Sequence, residues 1–438
     1  MAPPRVLILG AGFAGLACAK ALRRFPGEVT LVDRTNHHLF QPLLYQVASA
    51  GLSGSDVAQP IRSILRRQAN LRVHMASVTA IDLAARTATI DFQGRTLPFD
   101  YLVIALGVAS NYFGHDEWAP HALGLKSLAD AYAIRARLLA AYERAENLPH
   151  EPDEQRVQLT TIVIGGGPTG VEMAGACVEL ARRVARPEYR VANLAAARVV
   201  LIDAGDRLLS TFDESLSHKA RADLERMGVE VLLNTRVGEI TARTVATTDG
   251  RRIDAATIVW AAGVAPAPLV RTLGGQGLPL DRSGRIIVGP DCSPAGFPHV
   301  FAAGDISSCT DGAGVKVPGL AQGAMQMGRH AARVILADHA GQRADAGHVV
   351  YRDKGEMATI GRSRAVADVR GFRTTGFVAW VVWLSVHLVF LIDLRSKISV
   401  MLKWIAAYAF YRPAGRLLDA PHPPSLVPTA ADTPGPDT

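Results

Sequence analysis

"TIVIGGGPTGVEMAG" (161–175) reads as a strand, a glycine-rich turn and the start of a helix. Gly165, Gly167 and Gly170 stand at G-x-G-x-x-G spacing, with Pro168 and Thr169 inside the loop. Each glycine has its own task. One permits the tight turn, one lets a pyrophosphate approach the backbone, and one packs helix on strand. The helix start supplies N–H groups and a positive dipole end to the phosphates.

The chain has already used such a unit at its start, in "RVLILGAGFAGLACA" (5–19), with Gly10, Gly12 and Gly15. The strand after that helix, Val29–Val32, ends at Asp33, 18 residues past Gly15. In the second unit a helix from about Val171 to Arg183 leads to strand Val199–Ile202 and Asp203, 33 residues past Gly170. The usual distance is ~20 residues, so "RVARPEYRVANLAAA" (183–197) is read as an inserted excursion. Both acids suit ribose hydroxyls. Asp203 opposes a 2′-phosphate, which favours NADH over NADPH, and nearby Arg207 weakens that preference.

"YLVIALG" (101–107) and "TIVWAAG" (257–263) read as the returning strands of the two units; Ala105, Gly107 and Gly263 lie where the chain passes under a ligand. "VFAAGD" (300–305) is one more apolar strand, ending in Gly304-Asp305. The expected fold is α/β, with two Rossmann-like dinucleotide-binding domains, the second inserted in the first. Residues 1–115 and 285–345 form the first, 116–284 the second and 346–420 a third, C-terminal segment. The tail 421–438 has six prolines in 18 residues and is expected to be disordered.

Composition agrees with a folded enzyme-sized chain of 438 residues. The net charge of +7 is uneven: residues 346–420 hold eleven Lys/Arg against five Asp/Glu. Cys18, Cys177, Cys292 and Cys309 form no C-x-x-C and no metal-ligand spacing, so reduced thiols and no metal site are expected. No secretory leader is visible in "MAPPRVLILGAGFAG".

Taken together, "GAGFAGL", "DRTNHHLFQPLLYQVA", "DVAQPIR", "LGLKSLADAYAIR", "IGGGPTGVEMAG", "FAAGD", "GLAQGAMQMGRHAA" and "YRDKGEMATIGR" resemble the type II NADH dehydrogenases. These are non-proton-pumping NADH:quinone oxidoreductases among the two-dinucleotide-domain flavoproteins. The resemblance spans roughly 5–415. The glycine loops are generic. "HHLFQPLLYQVA" and Ala321-Gln322-Gly323-Ala324-Met325-Gln326 are more specific.

The resemblance implies that the first loop holds FAD and the second holds NADH, with a quinone as electron acceptor. A hydride then passes from nicotinamide to flavin. It assigns Gly10, Gly12, Phe13, Ala14, Gly15, Asp33 and Arg34 to the FAD pyrophosphate and adenosine, and Val78 to the adenine. Asp305 is assigned to the ribityl chain; a helix N-cap is the plainer alternative. Gln322 is placed beside the flavin and Gln326 one turn on, their amides orienting a quinone carbonyl, against the reading of a polar helix face. Lys354 is placed near the flavin, against a solvated loop lysine. Glu172 is placed at the NADH–quinone boundary with a possible part in proton delivery, against plain helix-dipole compensation. His37 and His38 are read as loop packing with no proton role.

"FVAWVVWLSVHLVFLI" (377–392) and "ISVMLKWIAAYAFYR" (398–412) contain three of the five tryptophans. Arg395, Lys397, Lys403, Arg412 and Arg416 flank or interrupt them. As a helix the first run reaches about 24 Å, short of a ~30 Å hydrocarbon core. An interfacial anchor on anionic lipid is expected, on the cytoplasmic face of the inner membrane and facing a membrane quinone. A dimer interface or core helix pair is the alternative, and a homodimer is compatible with both; no nucleic-acid partner is expected. Two other functions share the loops. A flavin-bound redox sensor would reduce its flavin without passing electrons to quinone. A sulfide:quinone reductase needs two cysteines flanking the flavin, and Cys309 has no evident partner in the sequence.

Overall fold

A computed structural model describes residues 3–410 and 416–418. The chain divides into two compact units: Met1–Leu39, Ala58–Ala109 and Val264–Lys354 in the first, and Phe40–Val57, Ser110–Gly263 and Gly355–Thr438 in the second.

The first unit is built on a five-stranded parallel sheet. Its order is Val300–Ala302, Tyr101–Ile104, Arg5–Leu9, Glu28–Asp33, Leu71–Met75. Ile8 sits centrally, in register with Leu31 on one side and Val103 on the other, and all three are buried. Near-continuous apolar runs fit a parallel sheet covered on both faces. Helix Phe13–Ala21 packs flush on helix Ala321–His339. A side chain at Gly328 would place Cβ only 2.2 Å from the Ala14 carbonyl, so glycine there sets the closeness of the pair.

The second unit repeats the plan. Its parallel sheet runs Ala122–Gly124, Thr257–Trp260, Thr160–Ile164, Arg198–Ile202, Val229–Leu232. In both units the glycine-loop strand is central, flanked by its acid-ending strand and its returning strand. The excursion after the second loop's helix continues that helix as a π-turn over Leu180–Ala185 and ends in a short helical turn, Leu194–Ala196. It is fastened by Glu146, whose carboxylate accepts from the backbone N–H groups of Arg190, Val191 and Ala192 at 2.8–3.0 Å.

The compact units differ from the expected segmentation in five places. Residues 40–57 and 110–115 belong with the second unit, 264–284 and 346–354 with the first, and the C-terminal stretch from 355 with the second instead of standing apart. That stretch also begins as a three-stranded antiparallel sheet, Glu356–Gly361, Arg364–Val369 and Phe372–Thr375, before helices Gly376–Phe390 and Leu394–Phe410. The expected disordered tail, 421–438, lies outside the described residues.

Within the second unit, segment 40–57 is tied to the last helix. Asp56 is buried and accepts from Lys403 Nζ at 2.6 and 2.8 Å and from Ser399 Oγ at 2.8 Å. Trp404 Nε1 donates to Gln46 Oε1 at 2.8 Å. Such partners lie some 350 residues apart, beyond the reach of local pattern.

Candidate functional site

The two glycine loops have the same internal geometry. Gly10 has φ +99° and Gly165 φ +115°, a region that favours glycine. A Cβ at Gly15 would lie 1.8 Å from the Gly10 carbonyl oxygen, and one at Gly170 would lie 1.8 Å from that of Gly165. The middle glycines differ: a Cβ at Gly12 or Gly167 would meet nothing within 4 Å. Each therefore faces open space at a helix start. Neither helix is capped by a side chain. Helix Leu128–Glu146, by contrast, has a full capping box from Ser127 and Asp130. Two uncapped helix starts behind bare glycines fit a dinucleotide pyrophosphate in each unit.

Asp33 and Asp203 do more than face a ribose. Asp33 accepts from Ala11 N at 2.7 Å and Thr35 N at 2.7 Å. Asp203 accepts from Gly166 N and from Gly205 N, the latter at 2.7 Å. Ala11 and Gly166 hold the same place in their loops, so each carboxylate fixes the loop that would grip the phosphates. Arg207 donates to the Ser210 carbonyl at 2.9 Å, a contact that holds its guanidinium on the following turn.

His38 lies on a short strand, His37–Leu39, paired with Ala58–Pro60, so the expected loop is a strand. The two histidines alternate sides. His37 is half-buried; His38 is buried and its Nδ1 donates to the Ala11 carbonyl at 2.8 Å. Its Nε2 is buried without a partner among the described residues, next to the first loop and the Phe13 ring. Burial pushes its pKa down, so the neutral ring braces the loop. Packing alone therefore understates its part.

The remaining first-unit candidates fall as follows. Arg34 is exposed and Ala105 buried; Val78 opens a strand paired with Ile90. Gly107 and Gly304 both have positive φ, at +67° and +84°. Asp305 sits in the turn after Val300–Ala302, beside Gly319, and the N-cap of helix Ala321–His339 is Leu320. The N-cap alternative for Asp305 is thus not realised. In the second unit, Pro168 opens the helix as its first residue, and Thr169 follows half-buried. Gly263 is covered by the Phe113 ring, 2.5 Å from where its Cβ would be.

Gln322, Gln326 and Lys354 come together. Gln322 Oε1 accepts from Lys354 N at 2.9 Å and its Nε2 donates to Asp353 Oδ1 at 3.3 Å. Gln326 Oε1 accepts from Arg352 N at 2.9 Å and its Nε2 donates to the Arg352 carbonyl at 3.0 Å. Both amides are engaged in holding segment 352–354, a task the sequence did not reveal.

Glu172 lies in the second unit, past the first turn of helix Pro168–Glu179, and is buried. Dipole compensation in a first turn is therefore not its setting. Its carboxyl accepts from Thr359 N at 3.3 Å. Burial pushes its pKa up to about 8; the Thr359 N–H and the Trp383 indole oppose that less strongly. Further along the same helix face, a Cβ at Gly175 would be 1.8 Å from the Ile360 carbonyl, and Glu179 accepts from Arg362 N at 2.6 Å. Helix and strand are thus in backbone contact. Thr359 and Trp383 were missed because only the fold brings them to Glu172.

Helices Gly376–Phe390 and Leu394–Phe410 flank an open apolar groove of about 500 Å³, lined by residues including Trp380, Leu388, Met401 and Trp404. Trp383 stacks on His387 with centroids 4.1 Å apart, and burial pushes the His387 pKa down to about 4. Phe377, Val389, Leu394 and Leu402 are exposed. No helix among the described residues is long and apolar enough to cross a membrane. Three of the expected lipid-facing cations have protein partners. Lys403 pairs with Asp56, Arg416 with Glu188, and Lys397 donates to the Val389 carbonyl at 2.8 Å. Arg412 lies outside the described residues.

All four cysteines are free and buried. Cys309 lies near Cys292 in the fold: the Gly289 carbonyl accepts from Cys292 N at 2.9 Å and from Cys309 Sγ at 3.7 Å. No cluster of metal-ligating side chains occurs among the described residues.

Residues 4–328 match the pyridine nucleotide-disulphide oxidoreductase family, which places the chain among the pyridine nucleotide-dependent oxidoreductases. Residues 354–413 match the NDH2 C-terminal domain. The type II NADH:quinone oxidoreductase Ndh of Mycobacterium tuberculosis is 42% identical over 417 residues, covering 93% of this chain and 89% of that protein. NdhA of the same organism is 44% identical, with 91% and 86% covered. The chain belongs to the type II NADH:quinone oxidoreductase family. A solved structure of NDH2 from Plasmodium falciparum in complex with NADH shares the fold, at TM-score 0.86 and 20% identity over 94% of this chain and 99% of that one.

Proposed function

We propose that this chain is an FAD-dependent NADH:quinone oxidoreductase that moves two electrons from NADH to a membrane quinone without pumping protons. The observation that carries the reading is the pair of uncapped, open glycine cradles, one in each unit. The first unit's cradle is assigned to FAD. Gly12 leaves room for the pyrophosphate, Asp33 and His38 brace the loop, and His38 Nε2 is a buried acceptor awaiting a donor. When bound, the flavin supplies the two-electron chemistry.

The chain's own residues position and exclude. Asp203 holds the loop assigned to NADH and sets a negative charge against a 2′-phosphate. Gln322 and Gln326 fix the segment carrying Lys354. Glu172, neutral at pH 7, holds a proton in a dry setting and is assigned to delivery of that proton during quinone reduction. The open apolar groove between the last two helices is assigned to the acceptor's hydrocarbon part.

The exposed apolar side chains of those helices support a peripheral seat on the cytoplasmic face of the inner membrane, with a homodimer as the assembly. Removing residues 377–412 is expected to release the protein from membranes with FAD still bound; a truncate that stays on membranes refutes the anchor. Purified protein given NADH and a short-chain quinone tests the activity. Rapid quinone-dependent NADH loss is expected. Flavin reduction that quinone does not reverse would favour the sensor, and sulfide-driven quinone reduction would favour the sulfide enzyme.

A further inference from the structure

Cys292 and Cys309 lie together within the first unit for reasons of backbone geometry. Strand Ile286–Val288 runs parallel to Ser307–Cys309, with Val288 in register with Cys309. The chain then turns at Gly289, whose carbonyl accepts from Cys292 N at 2.9 Å. The same carbonyl accepts from Cys309 Sγ at 3.7 Å. One oxygen thus gathers both residues, while Cys292 Sγ donates to the Met327 carbonyl at 3.8 Å. Cys292 is held at φ +66°, in the left-handed region that a non-glycine residue rarely adopts. The Ala302 N–H, donating to the Cys292 carbonyl at 3.0 Å, holds the turn in place.

We propose that Cys292 and Cys309 form a reversible dithiol–disulfide site, oxidised by peroxide, that closes the loop carrying strand Val300–Ala302 and Gly304-Asp305. The loop is 18 residues long from cysteine to cysteine. Cys309 is the attacking thiol. Both sulfurs are buried, but Thr310 and residues 312–316 beside Cys309 are exposed, whereas Asp291 and Ser293 on either side of Cys292 are half-buried. The neighbouring Cys292 side chain holds the Cys309 pKa below the ordinary thiol value.

The reaction balances as follows. Cys309 loses its proton, and its thiolate attacks one oxygen of hydrogen peroxide. The O–O bond breaks, hydroxide leaves and takes up that proton as water, and Cys309 becomes the sulfenic acid. Cys292 sulfur then attacks Cys309 sulfur, the S–O bond breaks, and the hydroxyl leaves with the Cys292 proton as a second water. Two thiols are oxidised by two electrons and one peroxide is reduced by two. Closing a loop of this size restricts the unfolded chain and would hold the turn bearing Asp305. That last consequence rests on the flavin reading; the disulfide itself does not.

The test is a mass measurement on the full-length holoenzyme. Protein is treated with hydrogen peroxide, quenched in acid, unfolded, alkylated and cut with trypsin. Peptide Ile286–Lys316 contains both cysteines and no others. The expected product is that peptide lighter by two hydrogens and free of label, and prior dithiothreitol should restore two labels. A Cys292→Ser variant should instead accumulate sulfenic acid on Cys309, trapped by dimedone. Two labels on the wild-type peptide after peroxide, a disulfide from Cys18 to Cys292, or Cys309 oxidised to sulfinic acid beside a labelled Cys292 would each overturn the site.

Discussion

Replacing Glu172 by Gln isolates the effect of burying an ionisable group. Gln keeps the size and an oxygen to accept from Thr359 N. In the folded protein the Glu172 pKa is pushed up to about 8, from an ordinary value of 4.5. Between those values the unfolded chain releases the proton while the folded chain keeps it. The unfolded state then binds fewer protons, so stability falls as pH rises. Each unit of pH costs about 1.4 kcal/mol over that window. The wild type should therefore lose about 3 kcal/mol relative to Glu172→Gln between pH 4.5 and 7, and about 5 kcal/mol by pH 9. Below pH 4.5 the two should show a constant offset. For a unit of this size that is a melting difference on the order of 10 °C at high pH. Thermal unfolding followed by tryptophan and flavin fluorescence at pH 4.5, 7 and 9 measures it. Melting curves of the two proteins that shift in parallel across the range would refute the buried, proton-holding carboxyl.

Asp203→Ala removes two charge-assisted contacts to Gly166 and Gly205 as well as a negative charge. It should raise the NADH KM about tenfold or more, as losing ~1.5 kcal/mol or more would do, and narrow the NADH:NADPH ratio; an unchanged ratio removes Asp203 from ribose recognition. Lys403→Met strands the buried Asp56 carboxylate. Because Lys403 is about a third exposed, the cost should be nearer about 2 kcal/mol than the 3–5 of a fully buried pair. Hydrogen exchange over residues 394–406 should speed up, and adding Asp56→Asn should reverse part of that. Gln322→Ala with Gln326→Ala should free segment 352–354, losing about 1 kcal/mol per backbone contact. Tryptic cleavage after Arg352 should then quicken several-fold; unchanged cleavage means the amides do not hold the segment.

The cradles were legible because their cause is local. Tight turn, bare approach and helix start all fall within six residues, and the acids end the next strand. The legible part also misled in detail. A charged residue at Asp33 or Asp203 can be seen facing a ligand, but not that it also ties down its own loop, since that depends on the strand meeting the turn. Lys403 read as a lipid-facing cation because sequence shows charge and not its partner, which lies some 350 residues away. The same holds for Gln322 and Gln326, polar in sequence and occupied in the fold. Glu172 could be flagged by position alone; that its pKa is pushed up follows only from its burial in the fold.

The ion pairs of Lys403 and Arg416 have one more consequence. Helix Leu394–Phe410 spends Lys397 and Lys403 on its own protein and keeps Arg395 as its one exposed cation, so it has little left with which to grip phosphate headgroups. The hold on a bilayer then comes from oil meeting oil, through Phe377, Val389, Leu394 and Leu402. Such a hold is indifferent to ionic strength. Washing membranes with concentrated salt should leave the protein in place, and a mild detergent should lift it off.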